Sequence, residues 1–152
     1  MNTVKEILDT KGRDVISVTP DSIVIEALTL MAERNIGAIL VLEKSGDIAG
    51  ILSERDFARK IIVKGRACDT SKVKDIMTSK IICAEPTTSL VECMNLMTSN
   101  RFRHLPIKEN GKVVGVISIG DVVKALIAQQ ERIIAQQDFL IGQNERKSSG
   151  AV

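Results

Sequence analysis

The stretch GILSERD, Gly50 to Asp56, returns in outline as GVISIGD, Gly115 to Asp121. Each copy has a glycine, two apolar residues, a serine, and an aspartate three positions beyond the serine. The copies lie 65 residues apart, and their surroundings repeat with them. A chain that carries one ordered set twice reads as two copies of one supersecondary unit. The Ser-x-x-Asp pair is itself a capping-box variant. It also has a second use, because a helix N-terminus favours an anion. A carboxylate there can accept both hydroxyls of a ribose cis-diol, and the serine can bond the ribose or a phosphate.

Working outward, VKEIL (Val4 to Leu8) recurs as VKDIM (Val73 to Met77), a short apolar-charged segment leading into each unit. VISVTPDS (Val15 to Ser22) and IICAEPTTS (Ile81 to Ser89) are β-prone runs ended by a proline, each followed by a helix start. Ile25, Leu28, Met31 and Ala32 share one helical face, as do Leu90, Met94 and Met97, with Asn35 and Asn100 at the expected helix ends. A hairpin follows in each unit: IGAILVLE and IAGILS around Ser45-Gly46-Asp47, then FRHLPIKE and VVGVIS around Asn110-Gly111. Each unit closes with a helix starting near Glu54 or Ile119. The order is β-α-β-β-α twice, an α/β (α+β) chain. A sheet of about three strands with helices on one side cannot bury both its faces, so two units pack as a pseudo-two-fold pair. The expected limits are 4–64 and 73–126 for the repeats, with a linker at 65–72. Beyond them, LIAQQER, IIAQQDF and LIGQNER repeat every seven residues from Leu126 to Arg146, an apolar stripe on an amphipathic helix over 127–146. That helix either lies on its own domain or pairs with a second chain. Residues 147–152 are expected to form a disordered tail.

Composition narrows the function. The chain has 152 residues, is 44% apolar and carries a net charge of +2 with its basic residues spread, which does not indicate a nucleic-acid surface. It has no Trp or Tyr, so the core is aliphatic and base-stacking platforms are missing. Three cysteines without C-x-x-C spacing suggest reduced thiols rather than disulfides or zinc. The N-terminus does not read as a signal peptide, and no apolar run approaches a membrane span, so a soluble cytoplasmic protein is expected. The motifs of nucleotide hydrolases, dinucleotide-binding enzymes and His-rich metal sites do not occur, and no catalytic residue is assigned.

The paired TPDSIVIEALTLM and EPTTSLVECMNLM segments, the RHLPI strand and the two G-h-h-S-x-x-D endings resemble the CBS-domain pair, also called a Bateman module, from about Val4 to Leu126. The resemblance implies a stand-alone regulatory sensor that binds adenosine nucleotides in clefts between its repeats and needs no cofactor. AMP is the first candidate, with ADP, ATP or NAD(H) as others. It implies ribose contacts from Asp56 and Asp121 with the hydroxyls of Ser53 and Ser118. Ile16 and Val18, or Ile81 and Cys83, frame the adenine; Ile36 and Ala38, or Phe102 and Leu105, wall it. Arg103 and His104 occupy phosphate-reaching positions, and Arg55 is a further cation at its cleft. Repeat two has Arg101, Arg103 and His104 where repeat one has Asn35, Gly37 and Ala38, so the cleft closed by Asp121 is expected to be the better nucleotide site. Cys83 is read first as a small buried apolar residue. The implied partners are the nucleotide, a second copy held through the repeats or the C-terminal helix, and a downstream protein. A dimeric interaction module with vestigial clefts is the alternative, and a nucleic-acid-associated regulator a weaker one.

Overall fold

The computed structural model describes residues 2–149. The first half runs α1 (Val4–Lys11), β1 (Ser17–Val18), α2 (Val24–Arg34), β2 (Ala38–Leu42), β3 (Ile48–Ser53) and α3 (Glu54–Phe57), which continues into a π-helical turn at Ala58–Ile62. The second half runs α4 (Val73–Ile76), α5 (Leu90–Asn100), β4 (His104–Glu109), β5 (Lys112–Ser118) and α6 (Ile119–Ser149). β1, β2 and β3 form one sheet, with β1 parallel and β3 antiparallel to β2. β4 and β5 form an antiparallel pair. Asn35 ends α2 in the left-handed conformation; in the second unit the left-handed residue is Arg101, one past Asn100.

The expected first strand of the second unit, over Ile81–Cys83, does not form. It is reduced to one parallel bridge between Ala84 and Ile107. Ala84 N donates to Pro106 O, and Lys108 N donates to Ala84 O. The ladder stops there because Pro106 has no N–H to offer the preceding rung. In the first unit Leu40 stands at the corresponding position opposite Ser17, and the pairing continues.

The lead-in helices pack crosswise. Val4, Ile7 and Leu8 of α1 enter the core of the second unit, with Leu90, Met97, Leu105, Ile107 and Ile117. Val73 and Ile76 of α4 enter the core of the first, with Val24, Met31, Ile39, Val41 and Leu52. Backbone hydrogen bonds repeat the exchange in matched pairs. Val4 N donates to Thr88 O and Val73 N to Ser22 O; Lys5 N donates to Pro86 O and Lys74 N to Pro20 O. The lead-in helix of each repeat thus lies on the core of the other, and the stretch at 65–72 touches the first core. Cys68 packs on the first core and Ser71 O accepts from Val24 N.

This crosswise packing explains the glycine that opens each motif. A Cβ on Gly50 would stand 2.7 Å from Met77 Sδ and 2.9 Å from the backbone oxygen of Thr78. A Cβ on Gly115 would stand 2.8 Å from Leu8 Cδ2. Each glycine lets the exchanged segment lie directly on the strand, and the backbone contact at Gly50 leaves the less room to give.

α6 has 31 residues, about 46 Å at 1.5 Å per residue, and outruns the globular pair. Its base is fixed by Val122, buried in the second core, by Leu126 packed against it, and by a 2.6 Å ion pair from Arg132 to Glu6 of α1. Beyond that, Ile134, Phe139, Leu140 and Ile141 are exposed. The helix runs through Ser149, into the stretch expected to be a disordered tail; residues 150–152 of that expectation lie outside the described residues. No helix among the described residues is long and apolar enough to cross a membrane.

Candidate functional site

The two Ser-x-x-Asp motifs fold alike. Ser53 is extended and caps α3: its Oγ accepts from Asp56 N at 3.1 Å, while Asp56 Oδ2 accepts from Ser53 N at 3.0 Å. Ser118 and Asp121 repeat the exchange at 3.1 and 2.9 Å. The capping box is therefore real in both copies, and it aims each carboxylate into a cleft between the units.

The carboxylates differ in their remaining partners. Asp56 is buried; its Oδ1 accepts from Thr78 Oγ1 at 3.0 Å and pairs with Lys60 at 3.2 Å. Asp121 is only half-buried, and Lys11 from the end of α1 lies 2.7 Å from its Oδ2 while also donating to Val116 O at 3.0 Å. Burial works to raise the Asp121 carboxyl, but the Lys11 ammonium and the Ser118 donors outweigh it and hold the group below its ordinary value. The cause of the difference is helix length. α1 continues for eight residues, so Lys11 reaches the cleft; α4 stops after four, and Thr78 pairs with Ile51 of β3 instead.

Each cleft is assembled from both units. Where β2 and β4 begin, the units meet: His104 Nε2 lies 3.7 Å from where a Cβ on Gly37 would be. Glu54 N donates to Gly37 O, and Ile119 N donates to Arg103 O. The Asp56 cleft, about 380 Å³, joins Ser53, Arg55 and Asp56 to Ile81, Phe102, Arg103 and His104 of the second unit. The Asp121 cleft, about 400 Å³, joins Ser118 and Asp121 to Ile16, Ile36 and Ala38 of the first. Arg101 and Arg103 therefore line the cleft of Asp56 and not that of Asp121, beside which their shared repeat would set them. The cause is the two-fold packing, which sets each motif against the strand of the opposite unit.

Three expected residues line neither cleft. Leu105 alternates with His104 along β4 and is fully buried in the second core. Val18 packs against the first core. Cys83 is half-buried, and burial pushes its thiol up despite the nearby Lys108. Conversely, Arg59, Lys60 and Lys80 line the Asp56 cleft, and Lys11 and Asp14 the other, although none stands in a motif. Helical spacing from Asp56 could have found Lys60, four residues on.

The electrostatics divide the clefts. Around Asp56 stand six cationic side chains, Arg55, Arg59, Lys60, Lys80, Arg101 and Arg103, against the two carboxylates of Glu54 and Asp56. Around Asp121 the charged groups are Lys11, Asp14 and Asp121 itself. His104 borders both clefts. Burial, then Lys11, lower its pKa, with Arg103 adding to them against the pull of Asp121, so the surroundings favour the neutral imidazole. No cluster of potential metal ligands occurs among the described residues.

The CBS-domain family model matches residues 4–63 and 73–128. A mitochondrial CBS domain-containing protein of Arabidopsis thaliana is 40% identical over 134 residues, which cover 82% of this chain and 65% of the plant protein, so the chain spans less than two thirds of that relative. A solved protein with CBS domains from Burkholderia ambifaria is 48% identical and superposes with a TM-score of 0.80 over 84% of this chain and 96% of its own. The CBS pair of a protein solved with 5′-methylthioadenosine and S-adenosyl-L-methionine has the same fold, with a TM-score of 0.73 at 20% identity over 84% of this chain and 97% of its own. The duplicated unit, the two capped aspartates and the clefts between the units thus have a shared origin: the chain belongs to the CBS-domain family, as a tandem pair of CBS repeats.

Proposed function

We propose that this chain is a regulatory module that binds an adenine nucleotide in the cleft closed by Asp56. The observation that carries the reading is the combination at that cleft. A buried carboxylate suited to a ribose diol faces apolar walls from Ile81, Ile82 and Phe102, inside a ring of cationic side chains. Arg55, Arg59, Lys80, Arg101 and Arg103 make no side-chain hydrogen bond or ion pair among the described residues, so their charge is available to a ligand. That supply of cations favours ADP or ATP over AMP, and a dinucleotide such as NAD(H) also carries two phosphates. The volume of about 380 Å³ lies within the usual small-molecule range of roughly 300–1,000 Å³. A ligand here touches both repeats, so it favours one arrangement of them, and a partner protein reads that arrangement.

The test is thermal unfolding with and without ATP. At about a hundredfold excess over Kd, ligand binding contributes about 2.7 kcal/mol, or roughly 5–10 °C for a chain of this size. Asp56→Asn is expected to remove most of that rise. If ATP, ADP and AMP at millimolar concentration all leave the transition unmoved, the reading fails and a non-binding interaction module is favoured.

The exposed stripe of α6 supports a second element of the reading, a homodimer in which the helix pairs with its counterpart. Apolar residues repeating every seven positions suit a helix that packs on another helix, and Ile134, Leu140 and Ile141 stand outside the cores. A chain ending at Arg132 keeps Leu126 on the core and Arg132 on Glu6, so it isolates the projecting part. Light scattering is expected to show the full chain as a dimer and the shortened chain as a monomer. Dimers that survive the cut place the interface on the repeats.

A further inference from the structure

We propose that His104 takes up a proton when the phosphates of a nucleotide enter the Asp56 cleft, so that binding there strengthens as pH falls. The proposal rests on the reading of that cleft as a nucleotide site and adds a proton to what the site responds to. His104 stands where the two units meet. It begins β4 opposite Ser118 of β5, and its half-buried side chain lines both clefts. Gly37 leaves space in front of it: the point where a Cβ would stand lies 3.7 Å from His104 Nε2 and 3.9 Å from Glu54 Oε2. In the first unit the equivalent place, opposite Ser53, is held by Ala38, so the device occurs once.

Charged groups from four parts of the chain surround the ring. Lys11 at the end of α1 and Arg103 just before β4 work against a proton on the imidazole, while Asp121 of α6 works for it. Glu54 of α3 faces it across Gly37, and Arg101 and Asp14 each line one of the clefts that it borders. Without ligand, burial and the two cations prevail, and His104 titrates below the ordinary histidine value of about 6.5. A bound phosphate alters this balance twice, in one direction. It pairs with Arg103, one of the two cations that oppose the proton, and it brings its own negative charge into a cleft that His104 lines. The bound state therefore keeps the proton to a higher pH than the free state. By linkage, affinity is highest below the free midpoint and falls as pH rises through the interval between the two midpoints. Each unit of that interval is about a factor of ten.

His104 is the single histidine of the chain, so the imidazole signals in proton NMR of the untagged protein report on it alone. Titration of the full chain with and without saturating ATP is expected to show the nucleotide raising the midpoint by at least about half a unit. In Asp56→Asn, at the ATP concentration that just saturates the wild type, the midpoint is expected to stay near its free value. Isothermal titration gives a second readout. Between about pH 8 and about pH 5.5, wild-type ATP affinity is expected to rise at least about twofold more than that of His104→Gln. The comparison cancels the ionisation of the terminal phosphate of ATP itself, which falls at about pH 6. The proposal is overturned if saturating ATP leaves the His104 midpoint unmoved or lowers it, if the whole shift survives in Asp56→Asn, or if His104→Gln shows the wild-type pH dependence. ATP that binds without moving the midpoint overturns this proposal alone. ATP that does not bind at any pH removes the reading of the Asp56 cleft, and this proposal with it.

Discussion

Leu8→Ala is expected to cost about 2–5 kcal/mol and to loosen the second repeat, although Leu8 lies in the sequence of the first. Leu8 is 1% exposed in the second core, and its Cδ2 occupies the space that Gly115 leaves on β5. Removing its side chain opens a cavity beneath β5 that the neighbouring strands close only in part. Urea unfolding measures the loss, and amide hydrogen exchange locates it. Faster exchange is expected at β4 and β5, with β2 and β3 affected only through global unfolding. Ile76→Ala is the mirror experiment, since Ile76 is fully buried among Ile39, Val41 and Leu52 and its loss should appear in β2 and β3. Should Leu8→Ala instead loosen β2 and β3, the crosswise packing of α1 and α4 is wrong.

That exchange marks where reading the chain in order stops. VKEIL and VKDIM are visibly related, and hydrophobic spacing is enough to make both helical. The same valine, isoleucine and leucine pattern suits either core, so nothing local says which unit each helix enters. The cleft that Arg103 lines is hidden for the same reason. Arg103 and Asp121 share a repeat in sequence, but the clefts lie between the units, one lined by residues of α3 and β4 and the other by residues of α6 and β2. Local features fared better, because their cause is local. Ser53 and Asp56 cap as their spacing requires, Asn110 and Gly111 turn with positive φ, and Asn35 ends its helix in the left-handed conformation. One loss was legible in principle: Pro106, lacking an N–H, faces the missing strand at Ile81–Cys83. Lys11 was not, because its role depends on α1 running a turn further than α4.

The asymmetry between the clefts has a measurable electrostatic consequence at Arg103. Arg103→Glu is expected to weaken ATP binding on the order of a hundredfold. Losing one charge-assisted hydrogen bond to a phosphate costs about 1.5–3 kcal/mol, and the new carboxylate adds repulsion of the same ligand. Arg103 is exposed, and its backbone oxygen rather than its side chain holds Ile119, so the fold should tolerate the change. Arg34→Glu, an equally exposed reversal at the end of α2 and outside both clefts, is expected to leave affinity within about twofold. The control separates a local contact from a change in net charge. Salt adds a second reading. Phosphate held by several side-chain cations is screened by added salt, so ATP affinity in the wild type should fall as ionic strength rises, and less steeply in Arg103→Glu. A wild-type ATP affinity that does not fall with added salt, or an Arg103→Glu affinity no weaker than that of Arg34→Glu, would show that the cations around Asp56 do not hold phosphate.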